Sequence, residues 1–178
     1  LNIFVSNILD TAKIKAGRME HHVQPVCVEK TAQNVLTLFA VAAKRQNARL
    51  LLEIEPGLPQ VAADPERLEQ VLVNLVSNAL KFTLEEGTIK IAARRKDGKV
   101  ELSVADTGEG MSKENLAKLF QRFQQSDAAR QKARGIQGTG LGLSIVKEAL
   151  DAIGASVAVA SEPGKGTRFS ILLKIADP

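Results

Sequence analysis

The chain has 178 residues, 44% of them apolar and 25% charged, which suits one well-cored globular domain with some length to spare. The formal net charge is +4, yet Trp and Tyr are absent, six Phe are the only aromatics, and the positive charge is scattered, so a nucleic-acid partner is not expected. No apolar run reaches the ~20 residues of a membrane span, no secretory signal opens the chain, and the single cysteine, Cys27, permits neither an internal disulfide nor a zinc cluster. These features fit a reducing, cytoplasmic setting for the domain, whether or not its parent protein is membrane-anchored.

The sequence opens without Met, inside a periodic apolar pattern, and is read as a fragment of a longer protein. Over residues 1–19, Leu1, Phe4, Val5, Ile8, Leu9, Ala12 and Ala16 recur at helical steps, and such a stripe calls for a partner helix. Residues 23–28 read as a short strand around Pro25, with Cys27 as a small apolar strand residue. Residues 29–47 read as a helix and Arg49–Ile54 as a strand. Pro56-Gly57-Leu58-Pro59 is a turn. Asp64-Pro65 starts a helix, with Asp as N-cap and Pro in the first turn, that runs to about Phe82. Thr88–Arg94 and Lys99–Asp106 alternate as strands around the Asp97-Gly98 turn. Residues 111–138 are polar and long for a connection, as functional lids are. Gly140–Ile153 forms an amphipathic helix stopped by Gly154. Ser156–Ala160 and Thr167–Ile175 close the chain as strands. Helices mixed with antiparallel hairpins predict an α+β, two-layer sandwich.

Four places carry chemistry. Along the helix 65–82, at about 100° per residue, Leu68, Val71, Leu72, Leu75, Ala79 and Phe82 form one face, and Asn74, Asn78 and Lys81 fall within roughly a 60° arc beside it. An amide oxygen can ligate Mg²⁺ and an ammonium can neutralise phosphate; the same residues also suit a solvated helix face. Asp106 ends an apolar row with Val100, Leu102 and Val104, where a carboxylate needs a donor such as a purine amino group. Gly108 and Gly110 would let a flat ring approach the backbone, although an Asx turn would use the same residues. Gly138-Thr139-Gly140-Leu141-Gly142 opens a helix and can form an anion site, or a plain hinge. Thr167 follows Gly164-Lys165-Gly166 with the parity of Phe169, Ile171 and Leu173. Its hydroxyl faces inward and needs a partner, for which Asp106 through water is one choice.

Taken in order, these segments resemble the histidine kinases of two-component systems, within the superfamily shared with gyrase, MutL-type repair proteins and a heat-shock chaperone. Asn74-Leu-Val-Ser-Asn78-Ala-Leu-Lys81-Phe-Thr83 resembles the N box. Asp106-Thr-Gly108-Glu-Gly110 resembles the first glycine box, Phe120-Gln-Arg-Phe123 the F box, and 138–143 the second glycine box. Residues 164–167 resemble a third. The resemblance implies a Bergerat-type α/β sandwich: a mixed, mainly antiparallel sheet covered by helices, binding ATP under a lid at about 111–138. It implies Asn78 as the Mg²⁺ ligand, with Asn74 and Lys81 serving the phosphates beside it. Asp106 would receive the adenine amino group, while Gly108, Gly110 and Met111 line the base pocket. Met111 stands where an aliphatic residue is usual. Phe123 would anchor the lid; Gly138, Thr139, Gly140, Leu141 and Gly142 would wrap the phosphates; Thr167 belongs to the same site. In the gyrase and MutL relatives a Glu one turn before the metal Asn activates water. Asn74 stands there, and an amide is no general base at neutral pH, so transfer to a histidine is expected rather than hydrolysis.

By the same resemblance, residues 1–22 are the second helix of a dimerisation and phosphotransfer hairpin, and 23–178 the catalytic ATP-binding domain. Neither His21 nor His22 has the family's acceptor pattern, an acidic residue directly after the histidine, so the phosphoacceptor is expected elsewhere. The implied partners are ATP, that hairpin, a response-regulator receiver domain and a second copy in the full-length protein. Arg130, Lys132 and Arg134 fall in the lid, either as a solvated loop or as charges that reach the γ-phosphate on closure. The alternatives are a degenerate nucleotide-binding scaffold without kinase activity, which the complete motif set disfavours, and a gyrase-like ATPase clamp, which Asn74 disfavours.

Overall fold

Asp64 and Pro65 begin the helix on which the fold is centred. In the computed structural model, which describes residues 22–119 and 142–177, Asp64 is buried, and its Oδ1 accepts the backbone N–H groups of Glu66 and Arg67 at 3.0 and 3.3 Å. Two of the donors that a helix start leaves unpaired are thereby satisfied. The same carboxylate accepts the N–H of His22 at 3.1 Å through Oδ2, tying the incoming chain to this start.

The elements run β1 (Gln24–Val26), α1 (Val28–Arg45), β2 (Arg49–Ile54), β3 (Val61–Ala63), α2 (Pro65–Phe82), β4 (Thr88–Lys96) and β5 (Lys99–Asp106). They continue with α3 (Lys113–Ala117), α4 (Gly142–Ala152), β6 (Ser156–Glu162) and β7 (Gly166–Lys174). Among the described residues, the main sheet has the order β2-β4-β5-β7-β6, and β1 pairs with β3 in a small second sheet. Every pairing is antiparallel except β2 with β4. That one parallel pair is reached by the crossover through α2, as a parallel neighbour requires.

Side chains alternate across the sheet, so one face collects Ile89, Ile91, Leu102, Val104, Phe169 and Ile171. They merge with Val35, Leu68, Leu72, Leu75, Val146 and Leu150 from the three long helices into one core. The expected α+β sandwich, with helices over one face of a mixed sheet, is what forms. On the other face Glu101 is buried between Arg94 and Lys96 at 2.8 and 2.5 Å.

Three local expectations differ. Cys27 is not a strand residue: it is exposed, at the N-cap of α1, and its carbonyl accepts from Thr31. The segment 111–138, read as a long connection with no helix or strand assigned to it, contains α3 in its described part, capped by Ser112 accepting from the N–H of Asn115 at 3.3 Å. Phe82, placed on the core face, is only half-buried. The terminal helix expected over 1–19, and His21, lie outside the described residues.

Candidate functional site

The site is strung along α2. At residue 74 this helix meets the start of α4. Asn74 is buried, its Nδ2 donates to the carbonyl of Gln70 at 2.9 Å, and its Oδ1 lies 3.2 Å from the place a β-carbon on Gly142 would take. At residue 82 the same helix meets the first glycine box. The Phe82 carbonyl accepts the N–H of Glu109 at 3.2 Å, and a β-carbon on Gly108 would strike that carbonyl. Asn78 and Lys81 lie between these two ends. Asn78 is half-buried, and among the described residues its side-chain amide has no hydrogen-bond partner. Lys81 is half-buried with its Nζ 5.2 Å from the centre of the Phe82 ring, and burial draws its ammonium below the usual lysine range.

Asp106 ends β5 beside Thr167 of β7. Its Oδ1 accepts from the N–H of Gly108 at 2.8 Å and the N–H of Thr167 at 3.3 Å. Burial raises the carboxyl above its ordinary range, while those two N–H groups pull it back. Gly110 has φ of 66° and packs against the carbonyl of Glu162 so closely that a β-carbon would overlap it. Only glycine suits both demands. The structure thus brings Asp106, Gly108, Gly110, Met111 and Thr167 to the C-terminal end of α2, and Asn74 and Gly142 together at its middle, about two turns earlier. Phe123, Gly138, Thr139, Gly140 and Leu141 lie outside the described residues, as do Arg130, Lys132 and Arg134.

Residues 63–177 match the family model described as histidine kinase-, DNA gyrase B- and HSP90-like ATPase. The chain belongs to this family. Within it, several relatives are named as histidine kinases. Sensor protein GacS of Pseudomonas syringae pv. syringae is 39% identical over 177 residues, 96% of this chain and 19% of that protein. Histidine protein kinase DivJ of Caulobacter vibrioides is 37% identical over 171 residues, 96% of this chain and 28% of that protein. The chain therefore spans a fifth to under a third of these relatives. Full-length ShkA in complex with AMPPNP superposes with a TM-score of 0.83 at 33% identity, over 98% of this chain and 36% of that one. The catalytic domain of histidine kinase ThkA superposes at 0.73 with 28% identity, over 88% of this chain and 97% of that one. This chain is a histidine kinase catalytic, ATP-binding domain of the two-component type. Among its described residues no helix is long and apolar enough to cross a membrane.

Sequence reasoning about this kinase domain missed Ser161. Its hydroxyl accepts the N–H of Met111 at 2.8 Å and lies 2.9 Å from the Thr167 hydroxyl, which gives that inward-facing hydroxyl a protein partner. The available signal was weak: Ser161 continues the inward parity of Val157 and Val159 at the end of β6. Also missed was the seam from the Gly164 N–H to the Glu109 carbonyl at 2.6 Å, which stitches the third glycine box to the first.

Proposed function

We propose that this domain binds Mg²⁺-ATP and transfers the γ-phosphoryl group to a histidine on a dimerisation hairpin of its parent protein, for relay to the receiver domain of a response regulator. The observation that carries this reading is the layout of α2. The helix touches the glycine segment of α4 at residue 74 and the Asp106 loop at residue 82, about 12 Å apart at 1.5 Å per residue. An uncommitted amide and a half-buried ammonium, Asn78 and Lys81, stand between. That layout suits an elongated ligand with a base at one end and phosphates at the other.

The residues also fit a magnesium ion. Among the described residues no three His, Cys, Asp or Glu side chains gather, so a cation here would be held by the Asn78 oxygen together with ligand oxygens and water, as Mg²⁺ accepts. When bound, the ion supplies charge neutralisation at the phosphates. The chain's own part is positional. Lys81, already stripped of part of its hydration, pairs with phosphate oxygens. Asp106 takes an amino proton of the base. Asn74, an amide held inside the protein, removes no proton from water, which favours transfer over hydrolysis.

Calorimetric titration of the chain with ATP, with Mg²⁺ and with chelator, tests this. Binding that depends on Mg²⁺ and is lost in Asn78→Ala and Asp106→Asn is expected. No binding by the wild-type chain at millimolar ATP would point to a degenerate scaffold. Phosphotransfer is checked separately by adding the parent protein's hairpin and following acid-labile label from γ-labelled ATP.

A further inference from the structure

Ser161 belongs to none of the motifs above, yet its hydroxyl joins three elements. It accepts the Met111 N–H at 2.8 Å, lies 3.0 Å from the Gly166 carbonyl and 2.9 Å from the Thr167 hydroxyl. A serine hydroxyl has one proton and two lone pairs. The Gly166 carbonyl can only accept, so it takes the Ser161 proton. The Met111 N–H can only donate, so it takes one lone pair. On distance alone either hydroxyl could donate in the Ser161–Thr167 contact; with the Ser161 proton on the Gly166 carbonyl, the remaining lone pair faces Thr167, whose hydroxyl is then the donor.

The consequence falls on Thr167. With its proton committed to Ser161, the Thr167 oxygen offers lone pairs alone to anything else. Thr167 is the register partner of Asp106, and an ionised carboxylate likewise only accepts. We infer that Ser161 is a positioning residue that sets base specificity: it fixes the Thr167 hydroxyl as an acceptor, so that Thr167 and Asp106 together select a purine with an amino group at C6 over one with a carbonyl there. The inference rests on the nucleotide reading proposed above. A C6 carbonyl placed against two acceptors leaves polar atoms unpaired in a half-buried site, the kind of mismatch that discriminates strongly. Without Ser161, the Thr167 hydroxyl is free to rotate and donate to that carbonyl.

The test compares ATP with inosine triphosphate, which carries the C6 carbonyl, by calorimetry with Mg²⁺ present. The full chain is used as wild type and as Ser161→Ala, Ser161→Thr, Thr167→Val and the Ser161→Ala/Thr167→Val double variant. The preference for ATP is expected to narrow about tenfold in Ser161→Ala, the size of one redirected hydrogen bond. Ser161→Thr, which keeps the hydroxyl, retains the preference. In the Thr167→Val background, Ser161→Ala changes nothing further. Ser161→Cys, whose thiol is a weak partner, replaces the alanine variant if that one does not fold. An unchanged ratio in Ser161→Ala, including an equal fall in both affinities, overturns the inference, and so does additivity with Thr167→Val. A wild-type chain that binds neither nucleotide overturns the nucleotide reading itself, and the inference with it.

Discussion

The amide oxygen of Asn74 lies 3.2 Å from where a β-carbon on Gly142 would sit. Asn74 cannot retreat, because it is buried and its Nδ2 is held by the Gln70 carbonyl at 2.9 Å. Gly142→Ala should therefore push the first turn of α4 away from α2. Ala would be favoured over Gly in a helix interior, but at the first turn that gain is small, and overpacking by one methyl costs about 1 kcal/mol or more. A lower unfolding midpoint in urea and weaker ATP binding are expected. Both effects should vanish when the substitution is made in an Asn74→Ala background, where the contact is gone. Equal losses in both backgrounds would show that the pair does not communicate.

The two asparagines of α2 should separate stability from binding. Asn78 has no hydrogen-bond partner among the described residues, whereas Asn74 is buried and bonded. Asn78→Ala is expected to leave the unfolding free energy in urea within about 0.5 kcal/mol of wild type while abolishing Mg²⁺-dependent ATP binding. Asn74→Ala should cost about 1–3 kcal/mol of stability, because it leaves a void and removes a buried hydrogen bond. Matched stabilities for the two variants would contradict this division.

Asp106 carries a cost that a neutral isostere would lift. Burial raises its carboxyl above the ordinary range, against the pull of the Gly108 and Thr167 N–H groups. A group whose folded pKa is raised contributes stability below its unfolded pKa, about 3.9, and loses it as pH rises through the folded value. Asp106→Asn keeps an acceptor oxygen for both N–H groups and removes the titration. Its thermal midpoint should exceed that of wild type at neutral pH, and the gap should close toward pH 4. ATP binding should be lost at every pH. A variant less stable than wild type at pH 7 would show that the charge is stabilised by something other than these two N–H groups.

Much of this architecture was legible in local chemistry. Asp64-Pro65 start α2 as capping rules require, Asp97-Gly98 turn β4 into β5, and Arg49–Ile54 and Lys99–Asp106 are strands to the residue. What was not legible depends on partners distant in sequence. Three residues, Val61–Ala63, make a strand because Gln24–Val26 lie alongside and Ile175 bridges to Val61 from the far end of the chain. Asn74 and Asn78 share one arc of one helix, and contact with α4, 68 residues on, buries one while the other stays half-buried with no hydrogen-bond partner among the described residues. Ser161 draws its meaning from Met111, 50 residues earlier, and from its register with Thr167. Spacing along one element reveals its faces; it does not reveal which neighbour uses up a hydrogen bond.

The last prediction concerns the sheet face away from the helices. The Glu101 carboxylate is held below the usual range by its bond from Lys96, opposed by burial and aided by Arg94. Its side chain is 7% exposed, but Arg94 and Lys96 are 61% and 42% exposed, so solvent screens the attraction and the cluster contributes about 1 kcal/mol. A lowered folded pKa contributes stability above the unfolded value, about 4.3, that is lost as pH falls through the folded one. Glu101→Gln should therefore unfold at lower urea than wild type at pH 7, and the difference should shrink below about pH 4. Since Glu101 lies on the face opposite the helices that carry Asn78 and Lys81, ATP affinity should not change. A fall in affinity with unaltered stability would mean that this face communicates with the site.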